Sequence, residues 1–542
     1  MIALLLAATS QLIASDSFLF RTPSEPIATS PKTLKIETLK DADAFFRMAL
    51  RGSDNRPSGV GCATPEAMHA RDMLVENNPA HGIVAEILIH GEVSEYLTPM
   101  FKFLYTKDAS STDVPPLADT NATIPMPDGS TRTLVAGNGV PDYVEKAGHY
   151  MEHARAVNGS LGLELPSPRT EVRIVNVDRS YSMAIIGITL SNHAPEWYLP
   201  WLCAHEFFHQ VQVASTPGDF GISFAKLNNP AYYDTFPLEG TANTGADFSF
   251  GVPGFGSQTP YDPNDHFAAT DIDFWNQSYD SSVFWKYLIQ QLATQGQASR
   301  GITVGSEIMR LFWQKRGSGL TGTPSALRQT LQATGGEFEA FLKRYRVAMA
   351  VKGHFNVDPT VPSTNRAFDW VGDGASNWPA VALQKQLDVG AGPSQNDQGE
   401  IQEDRGAKYY RILPGGAASY VFRLVGGSDD VRTQVAQVWQ RQGQRGVAVT
   451  EIAGRDGKND VTITVESGVI ATYAIVESTD GTQPFVIDIN PKSEKVPDLG
   501  MRCGSAVPVG APESGRDTAA AVQITLLVAA MMLAVRLHRR RG

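Results

Sequence analysis

Two histidines four residues apart, His205 and His209, enclose Glu206 in the run Trp201-Leu202-Cys203-Ala204-His205-Glu206-Phe207-Phe208-His209-Gln210-Val211-Gln212. On a helix, residues four apart share a face, so both imidazoles can aim at one metal ion. Glu206 sits one step round, near enough to reach a water on that ion without displacing it. Twenty-nine residues separate His209 from Glu239, which lies in the mostly apolar, small-residue run Phe236-Pro237-Leu238-Glu239-Gly240-Thr241-Ala242-Asn243. That leaves room for a loop and the start of a second helix, so Glu239 is the candidate third ligand. Asn243, four residues further, could accept the second proton of a ligating histidine and fix its tautomer. Two neutral imidazoles and a carboxylate leave a fourth tetrahedral position for water, so the expected ion is Zn2+.

The elements that must position these groups follow from their flanks. Trp201, Leu202, Ala204, Phe207, Phe208 and Val211 are apolar on nearly every side, as in a helix buried within a domain. Two histidines and a glutamate in such a helix are costly to bury unless something pairs with them. The bland alternative is a core helix whose histidines are merely hydrogen-bonded. Cys203, two residues before His205, points to another side and reads as packing. Tyr279 and His266 are the candidates for a donor that stabilises an oxyanion, each against an ordinary surface or packing role.

The combination His-Glu-Phe-Phe-His-x-x-Gln with Glu-Gly-Thr-Ala resembles the gluzincin class of zinc metallopeptidases, and within it a group of secreted bacterial metalloproteases. The resemblance extends upstream to Gly139-Val140-Pro141-Asp142-Tyr143-Val144-Glu145 and downstream to Tyr279-Asp280-Ser281-Ser282-Val283-Phe284-Trp285-Lys286-Tyr287-Leu288, covering roughly residues 95–350 in the same order. It implies an α+β zincin-like domain, with a mixed sheet and a helical lower half, that hydrolyses peptide bonds. It also implies that a strand before the metal helix, 171–177 or 183–190, pairs with an extended substrate. Two departures stand out. Only Gly137-Asn138 remains of an Asp/Asn run that looks calcium-binding in such proteins, and Asn243 occupies a position where they commonly carry an acid.

Read in order, the 542 residues suggest several domains, with 42% hydrophobic content and a formal charge of −11. With no long basic run in the soluble part, nucleic acid is not an expected partner. Three cysteines cannot make a disulfide framework. Residues 1–16 resemble the apolar part of a secretory signal without a preceding basic residue, a buried N-terminal helix being the alternative. An N-terminal region (32–94), with helices expected at 42–51 and 65–76, precedes the metalloprotease domain (95–353).

Within that domain we expect a strand at 96–105, helices at 141–158, 281–293, 303–315 and 325–350, and a loop at 251–266. An irregular linker (354–404) leads to short alternating strands over 405–490, expected to form an all-β sandwich-like domain. A second linker (491–518) leads to the apolar stretch 519–535, followed by an arginine cluster. That pattern predicts a C-terminal transmembrane anchor or sorting helix with the soluble domains outside the cytoplasm. It also looks like the C-terminal sorting signals of some Gram-negative surface proteins. Three functions fit: a zinc endopeptidase acting on proteins or peptides, a catalytically idle surface-binding protein, and a zinc hydrolase of a non-peptide bond. The intact Glu206 favours the first, since zinc could be held without it.

Overall fold

In the computed structural model, residues 89–490 are described except 178–179, 184–186, 217–234, 251–265, 268–269, 271–273, 295–306, 319–321, 356–379, 390–394, 402–404, 416, 418, 427–429 and 454–459. The expectations for 1–16, 42–51, 65–76, 491–518 and 519–535, and almost all of that for 251–266, therefore lie outside the described residues.

The stretch expected as one strand over 96–105 is an antiparallel hairpin, β1 (Val93–Leu97) and β2 (Phe101–Thr106). Pro99 cannot donate to a ladder, and Thr98 Oγ caps the amide of Phe101 at 3.1 Å. Glu152 Oε1 accepts from Thr98 Oγ and the Met100 amide, so the turn is tied to helix α1 (Asp142–Ser160). Pro141 precedes that helix in extended geometry, and Asp142 and Glu145 occupy its positive end. A two-stranded ribbon, β3 (Thr123–Pro125) and β4 (Thr131–Thr133), lies between β2 and α1.

Helix α1 is the crossover that lets β2 run parallel to β5 (Thr170–Val175). The expected strand 183–190 is another hairpin, β6 (Tyr181–Met183) and β7 (Gly187–Ser191). Gly187 opens β7 at φ +85°, where a Cβ would come within 2.3 Å of the Glu171 carbonyl oxygen. The sheet order is β1-β2-β5-β7-β6, with the metal-motif helix α2 (Leu199–Ser215) following β7. Helix α2 packs against α1, against β6 and β7, and against α3 (Thr235–Phe250).

The helical part continues with α4 (Ser282–Thr294), α5 (Glu307–Ser318), α6 (Thr323–Ala333) and α7 (Phe338–Phe355). The single helix expected over 325–350 is broken by Gly335 at φ +80°, whose amide caps the Gln332 carbonyl. The later strands β8 (Lys385–Asp388), β10 (Ala407–Leu413), β12 (Val431–Arg441), β13 (Gln444–Ala453) and β15 (Val469–Ser478) form a sheet in the order β13-β12-β15-β10-β8. The strands β9 (Gln395–Ile401), β11 (Ser419–Gly426), β14 (Asp460–Thr464) and β16 (Gln483–Asn490) form another, β14-β11-β16-β9. Strands β8 and β9 lie in the stretch read as linker, and β13 is reached by a tight turn with Gln442 and Gly443 both at positive φ.

The expected fold class, an α+β zincin-like domain followed by an all-β sandwich-like domain and a transmembrane helix, is corrected on these observations. The described residues belong to one compact unit ending at Lys492, in which helices and several sheets are mixed. One apolar core runs from the first sheet through the helices to Tyr409, Val438, Tyr473 and Ile475 of the second sheet. The opposite face of that sheet, with Tyr410, Ile412, Ala474 and Val476, packs on Phe422, Ile487 and Ile489 of the third. The second sheet is thus buried on both faces, and β8 pairs parallel with β10. Among the described residues, no helix is long and apolar enough to cross a membrane.

Candidate metal centre

Helices α2 and α3 run antiparallel, and each four-residue step along one is met by a four-residue step back along the other. His209 faces Glu239, His205 faces Asn243, and Trp201 faces Asp247. Close approach is possible because α3 carries Gly245, where a Cβ would lie 2.0 Å from Phe208 Cδ2. Gly240 serves the other flank, where a Cβ would meet Ser281 Oγ at 2.0 Å. Helix α2 is almost wholly buried, so its polar groups must find partners inside the protein.

They find each other. His205 Nε2 lies 3.2 Å from His209 Nε2 and 3.1 Å from Glu239 Oε2, and His209 Nε2 lies 3.7 Å from Glu239 Oε1. All three side chains are buried, and together they form a group that could bind a metal ion. Bonds of about 2.0–2.1 Å at tetrahedral angles set neighbouring donor atoms roughly 3.3 Å apart. The observed separations match that edge closely enough for one ion to be seated with little movement.

The electrostatics agree. Burial pushes the His205 imidazole down to about 3, partly opposed by Asn243 and Asp247. Burial likewise pushes His209 down to about 4, opposed by Glu239 and Gln212 and reinforced by His205. Both rings are therefore neutral at ordinary pH, the form that carries a lone pair for a metal. For His209 the tautomer is set by Gln212, whose Oε1 lies 2.9 Å from Nδ1. The Gln212 amide nitrogen donates to the Leu238 carbonyl at 2.7 Å and to Thr241 Oγ at 2.8 Å. A carbonyl only accepts, so the amide orientation is determined, and Nδ1 must be the protonated nitrogen.

His205 is held differently. Asn243 Nδ2 donates to the Tyr279 carbonyl at 2.8 Å, fixing the amide. Its Oδ1 and His205 Nδ1 are both buried and short of normal hydrogen-bond geometry, although Asn243 still favours the protonated ring.

Of the other candidates, Glu206 is fully buried on α2, about 60° round the helix from His209 and 100° from His205. Tyr279, in the short 3-10 turn Tyr279–Ser281, is half-buried, with its ring 6.1 Å from His205 and inclined by 30°. His266 is engaged elsewhere: Nε2 bonds the Tyr345 hydroxyl, and Nδ1 lies 3.8 Å from Asp280. Neither strand assigned to substrate pairing has a free edge, because β5 lies between β2 and β7, and β7 between β5 and β6. Among the described residues, the last strand at that end of the sheet is β6. In the loop before α1, Asp119 accepts from the amides of Gly137 and Gly139, Asn121 from Ala136, and Glu145 from Val135 and the Asn138 side chain. Those oxygens close the loop on itself.

Gln212 stood in the motif without a role, and the Trp201–Asp247 pair was not anticipated. The available signal was spacing: Gln212 is three residues past His209, and Asp247 repeats the four-residue step that joins Glu239 to Asn243.

No protein-family model matches this sequence, and no curated protein matches it. Solved structures give slight likenesses. A Yersinia pseudotuberculosis-derived mitogen is 11% identical over 19% of this chain and 91% of its own, at a TM-score of 0.14. PirA is 10% identical over 18% of this chain and 94% of its own, also at 0.14. TmCBM61, solved with β-1,4-galactotriose, is 20% identical over 18% of this chain and 61% of its own, at 0.11. Likenesses of that size carry no argument about fold or function.

Proposed function

We propose that this protein is a zinc-dependent endopeptidase of the gluzincin type, acting on proteins or peptides outside the cytoplasm. The observation that supports it is the convergence of two neutral, buried imidazole nitrogens and a carboxylate at tetrahedral-edge spacing beside a buried glutamate. Nitrogen donors and a site with only one carboxylate favour zinc over calcium or magnesium, which take mostly oxygen ligands. Zinc, when bound, supplies a Lewis acid that lowers the pKa of water to about 7 and polarises a carbonyl.

The remaining chemistry belongs to side chains of this protein. Glu206 takes the proton of the attacking water and hands it to the departing amine, which needs a carboxylate next to the metal face but not on it. Tyr279, next to His205, donates to the oxyanion that forms as the carbonyl is attacked. Strand β6, last in the sheet order among the described residues, is the strand that would pair with an extended peptide. The apolar, signal-like residues 1–16 support the extracytoplasmic setting.

The test uses the full chain and its Glu206→Gln variant, with bound zinc quantified and both incubated with casein. Zinc in both and cleavage by the wild type alone is the expected result. Zinc in both and cleavage by neither would exclude the endopeptidase reading and leave a binding protein or a non-peptide hydrolase.

A further inference from the structure

Two helical turns from Glu239 lies a second polar cluster that metal ligation does not use. Asp247 of α3 and Lys286 of α4 form an ion pair whose side chains are 3% and 8% exposed. A buried ion pair contributes little net stability against well-packed apolar residues, because both charges must be stripped of water. Its geometry gives it another task. Asp247 Oδ1 accepts from Trp201 Nε1 at 2.9 Å. The Trp201 indole in turn lies on the His205 imidazole, with centroids 4.9 Å apart and planes inclined by 23°.

We propose that Asp247, anchored by Lys286, is a positioning residue of the metal centre that sets the plane of His205 through the Trp201 indole. The proposal rests on the metal-binding reading of His205, His209 and Glu239. Where Gln212 holds the Nδ1 of His209 by a direct hydrogen bond, the Nδ1 of His205 makes none of normal geometry and only faces Asn243. A ring hydrogen-bonded so weakly can rotate about its χ2 axis, and the direction of its Nε2 lone pair rotates with it. The indole removes that freedom on one face, and the hydrogen bond to Asp247 keeps the indole from sliding. Lys286 fixes the carboxylate and balances its charge, so that the whole assembly can be buried.

The test is Co2+ titration of the metal-free full chain, following the visible d–d bands and the dissociation constant, with near-UV circular dichroism recording the fold. Asp247→Asn, Trp201→Phe and the double variant are compared with the wild type. The wild type should take one equivalent of Co2+ with tetrahedral bands. Asp247→Asn should bind about tenfold more weakly, with shifted bands and an unchanged fold, as expected for loss of an outer partner of a ligand. Trp201→Phe, which keeps an aromatic ring but loses the donor, should move both readouts the same way. The double variant should be no worse than the worse single one, since the effects share one path.

Wild-type affinity and bands in Asp247→Asn, or strictly additive losses in the double variant, would overturn the proposal. If Asp247→Asn does not fold, Trp201→Phe decides alone, and wild-type behaviour there overturns it. A wild type that takes up no Co2+ would remove the metal-binding reading and this proposal with it, a pattern distinct from unaffected variants.

Discussion

Gln212 is the side chain on which the orientation of His209 depends most directly, and Gln212→Ala should separate two losses. Its amide joins three groups: His209 Nδ1 at 2.9 Å, the Leu238 carbonyl at 2.7 Å and Thr241 Oγ at 2.8 Å. Thr241 keeps partners in the Pro237 carbonyl and Trp313 Nε1, and the Leu238 carbonyl keeps the amide of Ala242 one turn on in α3, so truncation removes a partner that only His209 Nδ1 depends on. The expected destabilisation is about 1–3 kcal/mol, the cost of one buried polar group losing its partner. Freed from its partner, His209 should bind zinc about 10–100-fold more weakly.

Gln212→Glu divides these effects. It keeps an oxygen acceptor for His209 Nδ1 but loses the two donors, so zinc affinity should stay near the wild-type value while stability still falls. The assays are competition for Zn2+ against a chromophoric chelator and urea denaturation of the metal-free chain. Gln212→Ala binding zinc within twofold of the wild type would refute the idea that this amide sets the His209 tautomer.

Other outcomes follow from the same geometry. Gly245→Ala would place a Cβ 2.0 Å from the buried Phe208 ring. We expect a net cost of about 1–2 kcal/mol after the gain in helix propensity, read as a lowered urea midpoint, together with weaker zinc binding as α2 and α3 part. His266 is pushed down to about 3 by burial, below its unfolded value near 6.5. Its contribution is therefore complete above pH 6.5 and is lost as pH falls toward 3. Between pH 7 and pH 5 that amounts to about 2 kcal/mol, and His266→Gln should flatten the fall in urea-derived stability by that amount; an equal slope in both proteins would contradict it. Chelation should lower the melting temperature of the wild type, by a free energy of about 4 kcal/mol if zinc was present at a thousand times its dissociation constant. His209→Ala should show no such chelator response.

The convergence of His205, His209 and Glu239 was legible because it depends on one helical repeat and a long enough excursion to a second helix. The supporting contacts were less so, since they arise from the antiparallel register of α2 and α3, which no local pattern encodes. Gln212 reaches Leu238 and Thr241 across that interface, and Trp201 reaches Asp247. The hairpin break at Pro99 was hidden because apolar residues continue on both sides of the turn. The largest misreading concerned the later strands. The strands over 405–490 suggest a separate all-β sandwich-like domain, whereas adjacent residues such as Tyr409 and Tyr410, or Val435 and Ala436, enter different cores, one of them shared with the helices. An apolar run in a strand says that both faces are covered, but not by what.

The most direct test of the central claim is calorimetric titration of Zn2+ into the metal-free full chain and its His209→Ala variant. The account predicts one zinc bound per wild-type chain and loss of that binding in the variant, with circular dichroism unchanged. Undiminished uptake by His209→Ala, or no uptake by the wild type, would contradict it.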